Sequence, residues 1–293
     1  MARKTKETTK SKKPAGNKPK KFIRKTEAVN NEAIKVTERK IELKKKNTVI
    51  SSIPEVIKLD ELSVFYPAYN EQGRVGLTIE KTFKKLPDVA KKYEVLIVND
   101  GSKDNTEEEV KELQKKYQQL NIITHNPNKG YGEALKTGFY STKYEWIAFT
   151  DVDGQFEFDE ISDFIKTQQN TKADMVIGYY RKREVPIFRK INTFVWQKIV
   201  YLLFGLNVRD IDCAFKLINR KVIKEIGHLE SGRGAFISSE LLIKARQKGF
   251  KMIEVPVTHY ARAGGKGTGA NLDVIIQSFV DLFKLWGKLK LGM

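Results

Sequence analysis

The sequence predicts an α/β domain with a mostly parallel sheet that is flanked by helices. Short apolar segments alternate with segments of helical spacing over residues 62–140, which is the pattern of β-α-β units. The segments 93–98 and 146–150 are almost continuously apolar, as expected of parallel strands that are buried on both faces. The first strand is followed by Pro-Ala-Tyr-Asn-Glu and not by Gly-x-Gly-x-x-Gly, so a dinucleotide-binding fold is not indicated.

Each element is predicted from its own pattern. Strands are expected at 62–66, 93–98, 121–124, 146–150, 175–179 and 252–258. Helices are expected at 74–86, 106–119, 132–140, 188–204, 236–247 and 271–290. The first helix should end before Pro87, because a proline inside a helix removes a backbone hydrogen bond. The last helix is amphipathic, which fits either a helix that covers the core or one that lies on a membrane surface.

Positive charge is concentrated at the N-terminus. The 293 residues carry a formal net charge of +18, and residues 1–47 alone hold 17 Lys or Arg against five Glu. With Phe22 as its single aromatic residue and no sustained apolar period, this segment is expected to be a disordered basic tail, and residues 48–293 to form one domain. The charge suits either an anionic membrane surface or nucleic acid. The rest of the chain carries no clear nucleic-acid-binding motif, so no specific nucleic-acid partner is expected.

The sequence also predicts a location. The N-terminus is charged but lacks the apolar core of a signal peptide. The longest apolar block, 199–206, is much shorter than the roughly 20 residues that span a bilayer. The single cysteine, Cys213, excludes an internal disulfide and fits a reducing compartment. A cytoplasmic protein is therefore expected.

Two carboxylates and an amide follow the apolar strand at 146–150. Asp151, Asp153 and Gln155 are spaced two apart, so on an extended chain they would project to the same side. Ligands of open α/β sheets bind at the carboxyl ends of the strands. Hard oxygen ligands at that edge suit Mg²⁺ or Mn²⁺ together with the phosphates that the cation bridges. An acidic loop that merely leaves the strand is the alternative.

Three further segments complete a set of motifs. They are Pro67-Ala-Tyr-Asn-Glu71, Asn99-Asp-Gly-Ser-Lys-Asp-Asn-Thr106 and Asp210-Ile-Asp-Cys-Ala-Phe-Lys216. Together with Asp151-Val-Asp-Gly-Gln155, and in this order, they resemble the motifs of inverting family 2 glycosyltransferases of GT-A fold. The likeness covers about residues 60–290 and is greatest to the polyprenyl-phosphate branch, which contains dolichyl-phosphate mannose and glucose synthases.

The resemblance implies a Rossmann-like GT-A fold and a metal-dependent transfer with inversion. The sugar would move from a nucleotide sugar, UDP- or GDP-linked, to a polyprenyl phosphate at the cytoplasmic membrane face, with peripheral attachment to the membrane. Asp151 would lie beside the ribose and diphosphate, and Asp153 and Gln155 would hold the Mg²⁺ or Mn²⁺. The other donor-binding candidates are Pro67, Tyr69, Glu71, Asp100, Ser102, Lys129 and Lys266.

The acceptor decides which other residues the reaction needs. A phosphate monoester is largely ionised at neutral pH and needs cations that position it, whereas a hydroxyl needs a general base. Arg189 and Arg262 are the candidate cations for a phosphate, although each also fits ordinary surface charge in a basic protein. Asp210 is the candidate base for a hydroxyl of a glycan or small molecule, or else a structural carboxylate that orients Arg209 or Arg262.

The sequence departs from the family pattern at three positions. Asn99 replaces an acid, while Asn105 and Ala214 replace glycines. A non-catalytic protein that binds nucleic acid or membrane through its basic tail is the remaining alternative, and it would not need the Asp-x-Asp-x-Gln segment.

Overall fold

The computed structural model of the chain describes residues 57–181, 187–232, 234, 236–260 and 272–291, without the side chains of 187–191, 272–275 and 291. The basic tail predicted over 1–47 lies outside the described residues, as do Arg262 and Lys266. Its disorder and the domain boundary at residue 48 stay predictions.

The described residues contain one sheet of seven strands in the order β3-β2-β1-β4-β6-β5-β7. The strands are β1 Leu59–Ala68, β2 Ala90–Asn99, β3 Leu120–Thr124, β4 Trp146–Phe149, β5 Met175–Tyr180, β6 Lys216–Asn219 and β7 Met252–Val257. Strand β6 runs antiparallel to both of its neighbours, and the other pairs are parallel. The predicted α/β class with a mostly parallel sheet is confirmed.

Helices connect these strands. They are α1 Val75–Val89, α2 Thr106–Gln114, α3 Tyr131–Ser141, α4 Ile161–Thr171, α5 Ile187–Phe204, α6 Arg220–Glu225, α7 Phe236–Gln247 and α8 Leu272–Leu291, with a 3-10 turn at Phe158–Glu160. None of the helices in this described part is long and apolar enough to cross a membrane.

The core lies on both faces of the sheet, as the apolar strand sequences require. Residues 62–68 of β1 are all buried, since parallel strands are covered by helices on both sides. Phe65 of β1 stacks on Phe149 of β4 at 5.4 Å between ring centroids and meets Phe139 of α3 edge-on at 5.0 Å. This cluster fixes α3 against the strands whose carboxyl ends form the site.

Three sequence predictions need correction. Helix α1 continues through Pro87 to Val89, because a proline this close to the end removes a single hydrogen bond without breaking the last turn. Helix α2 ends at Gln114, five residues before the predicted end. Strand β6 and helices α4 and α6 were not predicted, and β6 was missed because its fully buried run begins with Lys216.

Candidate active site

The candidate site lies where β1, β2 and β4 end. These three strands are adjacent and parallel, so the loops that follow them meet at one edge of the sheet. The loops are residues 69–74, 100–105 and 150–157, which contain most of three of the four motif segments. The structure therefore brings together motifs that are far apart in the sequence.

The first two loops are joined by hydrogen bonds. The backbone N–H of Asn70 donates to Ser102 Oγ at 2.9 Å, and the N–H of Lys103 donates back to Asn70 Oδ1 at 2.8 Å. The N–H of Glu71 donates to Thr106 Oγ1 at 2.8 Å. This reciprocal pairing holds the loop after β1 in one conformation.

The predicted donor-binding residues of the first loop differ in exposure. Pro67 is buried within β1, and Tyr69 is 45% exposed beyond the end of that strand. Glu71 is buried, and its Oε2 forms an ion pair with Arg74 at 2.9 Å. Tyr69 thus presents an exposed aromatic surface to a ligand, and the nucleotide contacts of all three residues stay predictions.

Asp100 organises the start of α3. Its buried carboxylate accepts the backbone N–H groups of Lys129 at 2.9 Å and Gly130 at 2.8 Å. The same group is 2.7 Å from Nδ1 of His125, whose Nε2 is 2.9 Å from Thr137 Oγ1. Both carboxylate oxygens therefore bind the protein itself, and the Lys129 side chain is exposed above them. His125 is a residue that the sequence analysis missed.

The presence of Asn99 in place of the acid of the family pattern has a physical explanation. Asn99 is fully buried, its Nδ2 donates to Glu107 Oε2 at 3.1 Å, and its Oδ1 accepts the N–H of Ser102 at 3.1 Å. An aspartate at this position would place a second carboxylate against Glu107. It would also lack the N–H donor that the Asn99 amide provides to Glu107. The amide therefore suits this chain better than the acid of the family pattern.

The Asp-x-Asp loop is not extended. Strand β4 ends at Phe149, Gly154 has a φ of +78°, and the N–H of Gln155 donates to Asp153 Oδ1 at 3.0 Å. The expectation that an extended chain carries the three side chains to one side is therefore wrong, because a turn permitted by glycine intervenes.

Contacts on both sides hold this loop. Thr78 Oγ1 of α1 donates to the carbonyl of Val152 at 2.9 Å. Gln155 Nε2 donates to the carbonyl of Tyr260 at 2.8 Å, and the N–H of Tyr260 donates to the carbonyl of Gln155 at 2.9 Å. A bridge between Phe156 and His259 continues this pairing. The end of β7 thus fixes the amide that the resemblance assigns to the metal.

Asp151 is the most perturbed carboxylate of the site. The pKa of its carboxyl rises to about 7, because the group is removed from solvent and lies near the negative charge of Asp153. The hydroxyl of Tyr131 donates to Asp151 Oδ1 at 3.1 Å, and the charge of Lys216 also opposes the rise. Tyr131 is the first residue of α3, and no local sequence pattern indicates this contact.

Lys216 lies on β6, which is next to β4, the strand that precedes the Asp-x-Asp loop. It pairs with Phe149 across β4 and β6 and is fully buried, so burial lowers the pKa of its ammonium. Its Nζ donates to the carbonyl of Cys213 and, at 3.4 Å, to that of Ile211. Lys216 therefore shapes the Asp210 segment, a role that sequence analysis did not assign.

Asp210 is buried at the start of that segment. Its Oδ1 accepts the N–H of Asp212 at 3.1 Å. The adjacent Arg209 places its guanidinium 4.5 Å from the ring centroid of Tyr179. The two predicted roles of Asp210, general base and structural carboxylate, both stay predictions.

Loop 228–232 packs against the start of α3. The buried carboxylate of Glu240 in α7 accepts the N–H groups of Glu230 and Ser231, both at 2.8 Å, and pairs with Lys244 at 2.7 Å. The carbonyl of Gly232 in turn accepts the N–H of Glu133 at 2.8 Å. Glu240 thus anchors loop 228–232.

The approach of this loop to α3 depends on a glycine. A Cβ on Gly132 would lie 2.3 Å from the carbonyl oxygen of Gly232, a distance that no side chain tolerates. The glycine-rich start of α3 thus serves the packing of loop 228–232 as well as the contact of Tyr131 with Asp151.

The predicted cations are only partly described. Arg189 lies in the first turn of α5, in the stretch whose side chains are not described. Arg262 and Lys266 belong to 261–271, outside the described residues. Their roles as cations for phosphates stay predictions.

The donor set at the Asp-x-Asp loop fits a magnesium-type cation. The described residues contain no cluster of three His, Cys, Asp or Glu side chains suited to a metal. Asp153 and the amide oxygen of Gln155 would supply two oxygen ligands, because the Gln155 nitrogen is already bound to Tyr260. Mg²⁺ is commonly held by one or two protein oxygens together with substrate phosphates and water. The residues present therefore fit the metal that the resemblance implies.

Solved structures share the fold of this chain. Glucosyl-3-phosphoglycerate synthase from Mycobacterium tuberculosis, in complex with Mn²⁺, UDP and glucosyl-3-phosphoglycerate, matches with a TM-score of 0.59 and 17% identity over 78% of this chain and 80% of that one. The mannosyltransferase PcManGT from Pyrobaculum calidifontis, in complex with GDP-Man and Mn²⁺, matches with a TM-score of 0.58 and 18% identity over 79% and 66%. The predicted GT-A fold is confirmed.

Relatives of known sequence match most of the chain. A dolichyl-phosphate beta-glucosyltransferase of Trichomonas vaginalis is 30% identical over 76% of this chain and 72% of its own length. The dolichyl-phosphate beta-glucosyltransferase of Saccharomyces cerevisiae is 28% identical over 70% and 68%. The family model described as Glycosyl transferase family 2 matches residues 63–227. The chain therefore belongs to glycosyl transferase family 2.

Proposed function

We propose that this protein transfers glucose, with inversion, from a nucleoside diphosphate glucose to dolichyl phosphate at the cytoplasmic face of a membrane. The observation that carries the proposal is the likeness to two dolichyl-phosphate beta-glucosyltransferases over 70% or more of this chain. The geometry of the three loops at the ends of β1, β2 and β4 supports it, because that edge of the sheet suits a nucleotide ligand.

The donor lies across these loops. Tyr69 offers an exposed aromatic surface for the base, and Glu71, Asp100 and Ser102 fix the loops around it. Asp151, held by Tyr131, lies beside the ribose and diphosphate. The exposed Lys129 and, outside the described residues, Lys266 supply positive charge for the phosphates. Solved neighbours of the same fold contain UDP or GDP-Man, so both nucleotides are tested as donors.

Asp153 and Gln155 would hold Mg²⁺ or Mn²⁺. The bound cation stabilises the negative charge that develops on the leaving diphosphate. The fixed position of Gln155 between Asp153 and Tyr260 supports this assignment, because a preorganised oxygen ligand loses little freedom on binding.

The reaction is a single displacement at the anomeric carbon. A phosphate oxygen of the acceptor forms the new C–O bond from the face opposite the leaving group. The bond between the anomeric carbon and the nucleoside diphosphate breaks, and that diphosphate leaves with the electron pair. An α-linked donor then gives a β-linked product, which agrees with the names of the two relatives.

The phosphate acceptor needs cations and no base. Its second pKa is about 6, so it is a nucleophile at neutral pH without losing a further proton. Arg189 and Arg262 are the cations that we place on it, because a guanidinium binds phosphate oxygens in pairs. Asp210 would then keep the segment 210–216 in place through its bond to the N–H of Asp212. A hydroxyl acceptor, with Asp210 as general base, is the alternative.

The test uses the purified full chain, radiolabelled UDP-glucose or GDP-glucose, Mn²⁺ and two matched lipids in detergent. Dolichyl phosphate and dolichol differ only in the phosphate group. We expect label in the lipid extract with dolichyl phosphate and none with dolichol. Transfer to dolichol, or to neither lipid, would overturn the proposal.

A further inference from the structure

The exposed apolar residues of the described chain are concentrated on two helices. Of the twelve large apolar side chains that are exposed in this part, seven lie on α5 and α8. They are Phe194, Val195, Tyr201 and Leu202 of α5, and Ile276, Val280 and Phe283 of α8. Single exposed apolar residues are normal on any protein, but a concentration of them marks an interaction surface.

On α5 the exposed residues form one face. Positions 194, 198, 201 and 202 follow the spacing i, i+4, i+7 and i+8, which places them on the same side of a helix. Leu202 is 82% exposed and Phe194 is 59% exposed. The opposite side is packed, since Val200 is fully buried and Trp196 Nε1 donates to Ser239 Oγ of α7 at 3.3 Å. The helix is therefore apolar on both sides, and only one side serves the core.

Helix α8 repeats this arrangement. Positions 276, 280 and 283 follow the spacing i, i+4 and i+7 and are exposed. Leu282 and Leu285 on the other side are buried. Trp196 of α5 and Phe279 of α8 meet edge-on at 5.2 Å between ring centroids, so the two helices are neighbours. The predicted amphipathic helix thus covers the core with one face and leaves a second apolar face outside.

Basic side chains accompany both outward faces. Helix α5 contains three basic residues and no Asp or Glu. Lys198 lies within its outward face, 5.3 Å from the ring centroid of Phe194. On α8, Lys284 and Lys290 are exposed and follow Phe283 by one and by seven positions. Exposed apolar residues among lysines are typical of helices that lie in the headgroup region of anionic bilayers.

We propose that the outward faces of α5 and α8, here called the docking face, bind the surface of a bilayer that contains anionic lipids. The inference rests on the proposed function, because dolichyl phosphate keeps its chain in the bilayer and its phosphate at the surface. Gln197 of α5 donates through Nε2 to the carbonyl of Arg209 at 2.6 Å, directly before Asp210. Docking of α5 would therefore bring the segment 210–216 to the level of the lipid phosphate.

The first test measures binding of the full chain to vesicles of phosphatidylcholine with phosphatidylserine by co-sedimentation. The variants are Phe194→Ser with Leu202→Ser, and Val280→Ser with Phe283→Ser. Leu77→Ser is the matched control, since Leu77 is an apolar residue of α1 that is 64% exposed. Each variant pair should need at least about tenfold more lipid for half-maximal binding, because two inserted apolar side chains are lost. The control should bind like the wild type.

Measurements in high salt distinguish vesicle binding through the docking face from vesicle binding through the basic tail. Salt weakens the attraction of lysines to anionic lipid but not apolar insertion. In high salt the wild type and Leu77→Ser should retain binding that both variant pairs have lost. Equal binding of all proteins in both salt conditions would overturn the proposal. So would a wild-type dimer that the variants convert to monomers while their vesicle binding is unchanged, because the face would then bind a second copy of the chain.

Transfer assays separate this inference from the proposed function. Both variant pairs should match the wild type on a short, water-soluble prenyl phosphate and should be slower with dolichyl phosphate in vesicles. Equal melting temperatures will show that the variants are folded. If the wild type glucosylates neither acceptor, the proposed function fails, and vesicle binding alone still decides the docking face.

Discussion

The hydroxyl of Tyr131 donates a hydrogen bond of 3.1 Å to Oδ1 of Asp151. Tyr131 is the first residue of α3 and Asp151 follows β4, so this bond joins the glycine-rich helix start to the Asp-x-Asp loop. It holds the carboxylate that we place beside the ribose and diphosphate of the donor. Its removal is therefore expected to affect the reaction more than the fold.

Replacement of Tyr131 by phenylalanine removes this bond and keeps the ring. A hydrogen bond to a charged group contributes about 1.5–3 kcal/mol, so kcat/KM for the nucleotide sugar should fall about ten- to a hundredfold. Tyr93→Phe, at the other end of β2, is the control and should keep wild-type kinetics. Equal kinetics of the two variants would show that the contact with Asp151 has no role in transfer.

Replacement of Asp153 by asparagine tests the metal site. The wild type should melt several degrees higher with a nucleoside diphosphate and Mn²⁺ than with the nucleoside diphosphate alone, because a ligand at about 100 times its Kd adds about 2.7 kcal/mol. Asp153→Asn should lose this Mn²⁺-dependent increase and the transfer activity, while its melting temperature without ligand stays near that of the wild type. The exposed Asp159→Asn serves as control. A full Mn²⁺-dependent increase in Asp153→Asn would place the metal elsewhere.

The sequence predicts the first half of the fold well for a physical reason. From β1 to β4 the strands are mainly apolar and each loop that follows a strand carries Gly, Asn or Asp, so local pattern and tertiary structure agree. In the second half, β6 is a buried strand that begins with a lysine, and no local pattern indicates a charged residue in the core. Helix α4 did carry a signal, since its buried residues Ile161, Phe164 and Ile165 have helical spacing.

The candidate site, too, is only partly predictable from the sequence. The loops that form it are recognisable because their polar residues follow apolar strands. The contacts between these loops cannot be recognised in the sequence, because the residues that form them are distant in the chain. Asp100 meets Gly130 across 30 positions, and Tyr131 meets Asp151 across 20. Lys216 and Glu240 were missed as determinants of the site because their burial depends on the packing of β6 and α7.

The departure at Asn99 gives a stability prediction. Asn99→Asp should destabilise the protein by about 3 kcal/mol at neutral pH, because it opposes the Glu107 carboxylate with a second, buried carboxylate. Adding Glu107→Gln should restore much of this loss, since an amide can donate to the new aspartate. Urea unfolding of the wild type, both single variants and the double variant measures the coupling. Strictly additive effects would mean that the bond between Asn99 and Glu107 does not explain the departure.

The role of Asp210 separates the two acceptor classes. With a phosphate acceptor, Asp210→Asn should retain transfer within about tenfold, because it loses no catalytic base and keeps an oxygen that accepts the N–H of Asp212. The pH profile of kcat/KM should keep its shape above pH 6. With a hydroxyl acceptor, the variant should lose activity about a hundredfold or more, together with one ionisation of the profile. A hundredfold loss together with a lost ionisation would identify Asp210 as the general base.

The proposed reaction is transfer of the sugar to a lipid phosphate. It is tested most directly by incubating the full chain with radiolabelled UDP-glucose or GDP-glucose, Mn²⁺, vesicles that contain dolichyl phosphate, and a mixture of soluble glycans in the same vessel. The label is then measured in the lipid extract, before and after mild acid, and in the aqueous glycans. We predict that the label enters the lipid and is released by mild acid, as a glycosyl phosphate requires. Label in the aqueous glycans, with none in an acid-labile lipid, would contradict the account.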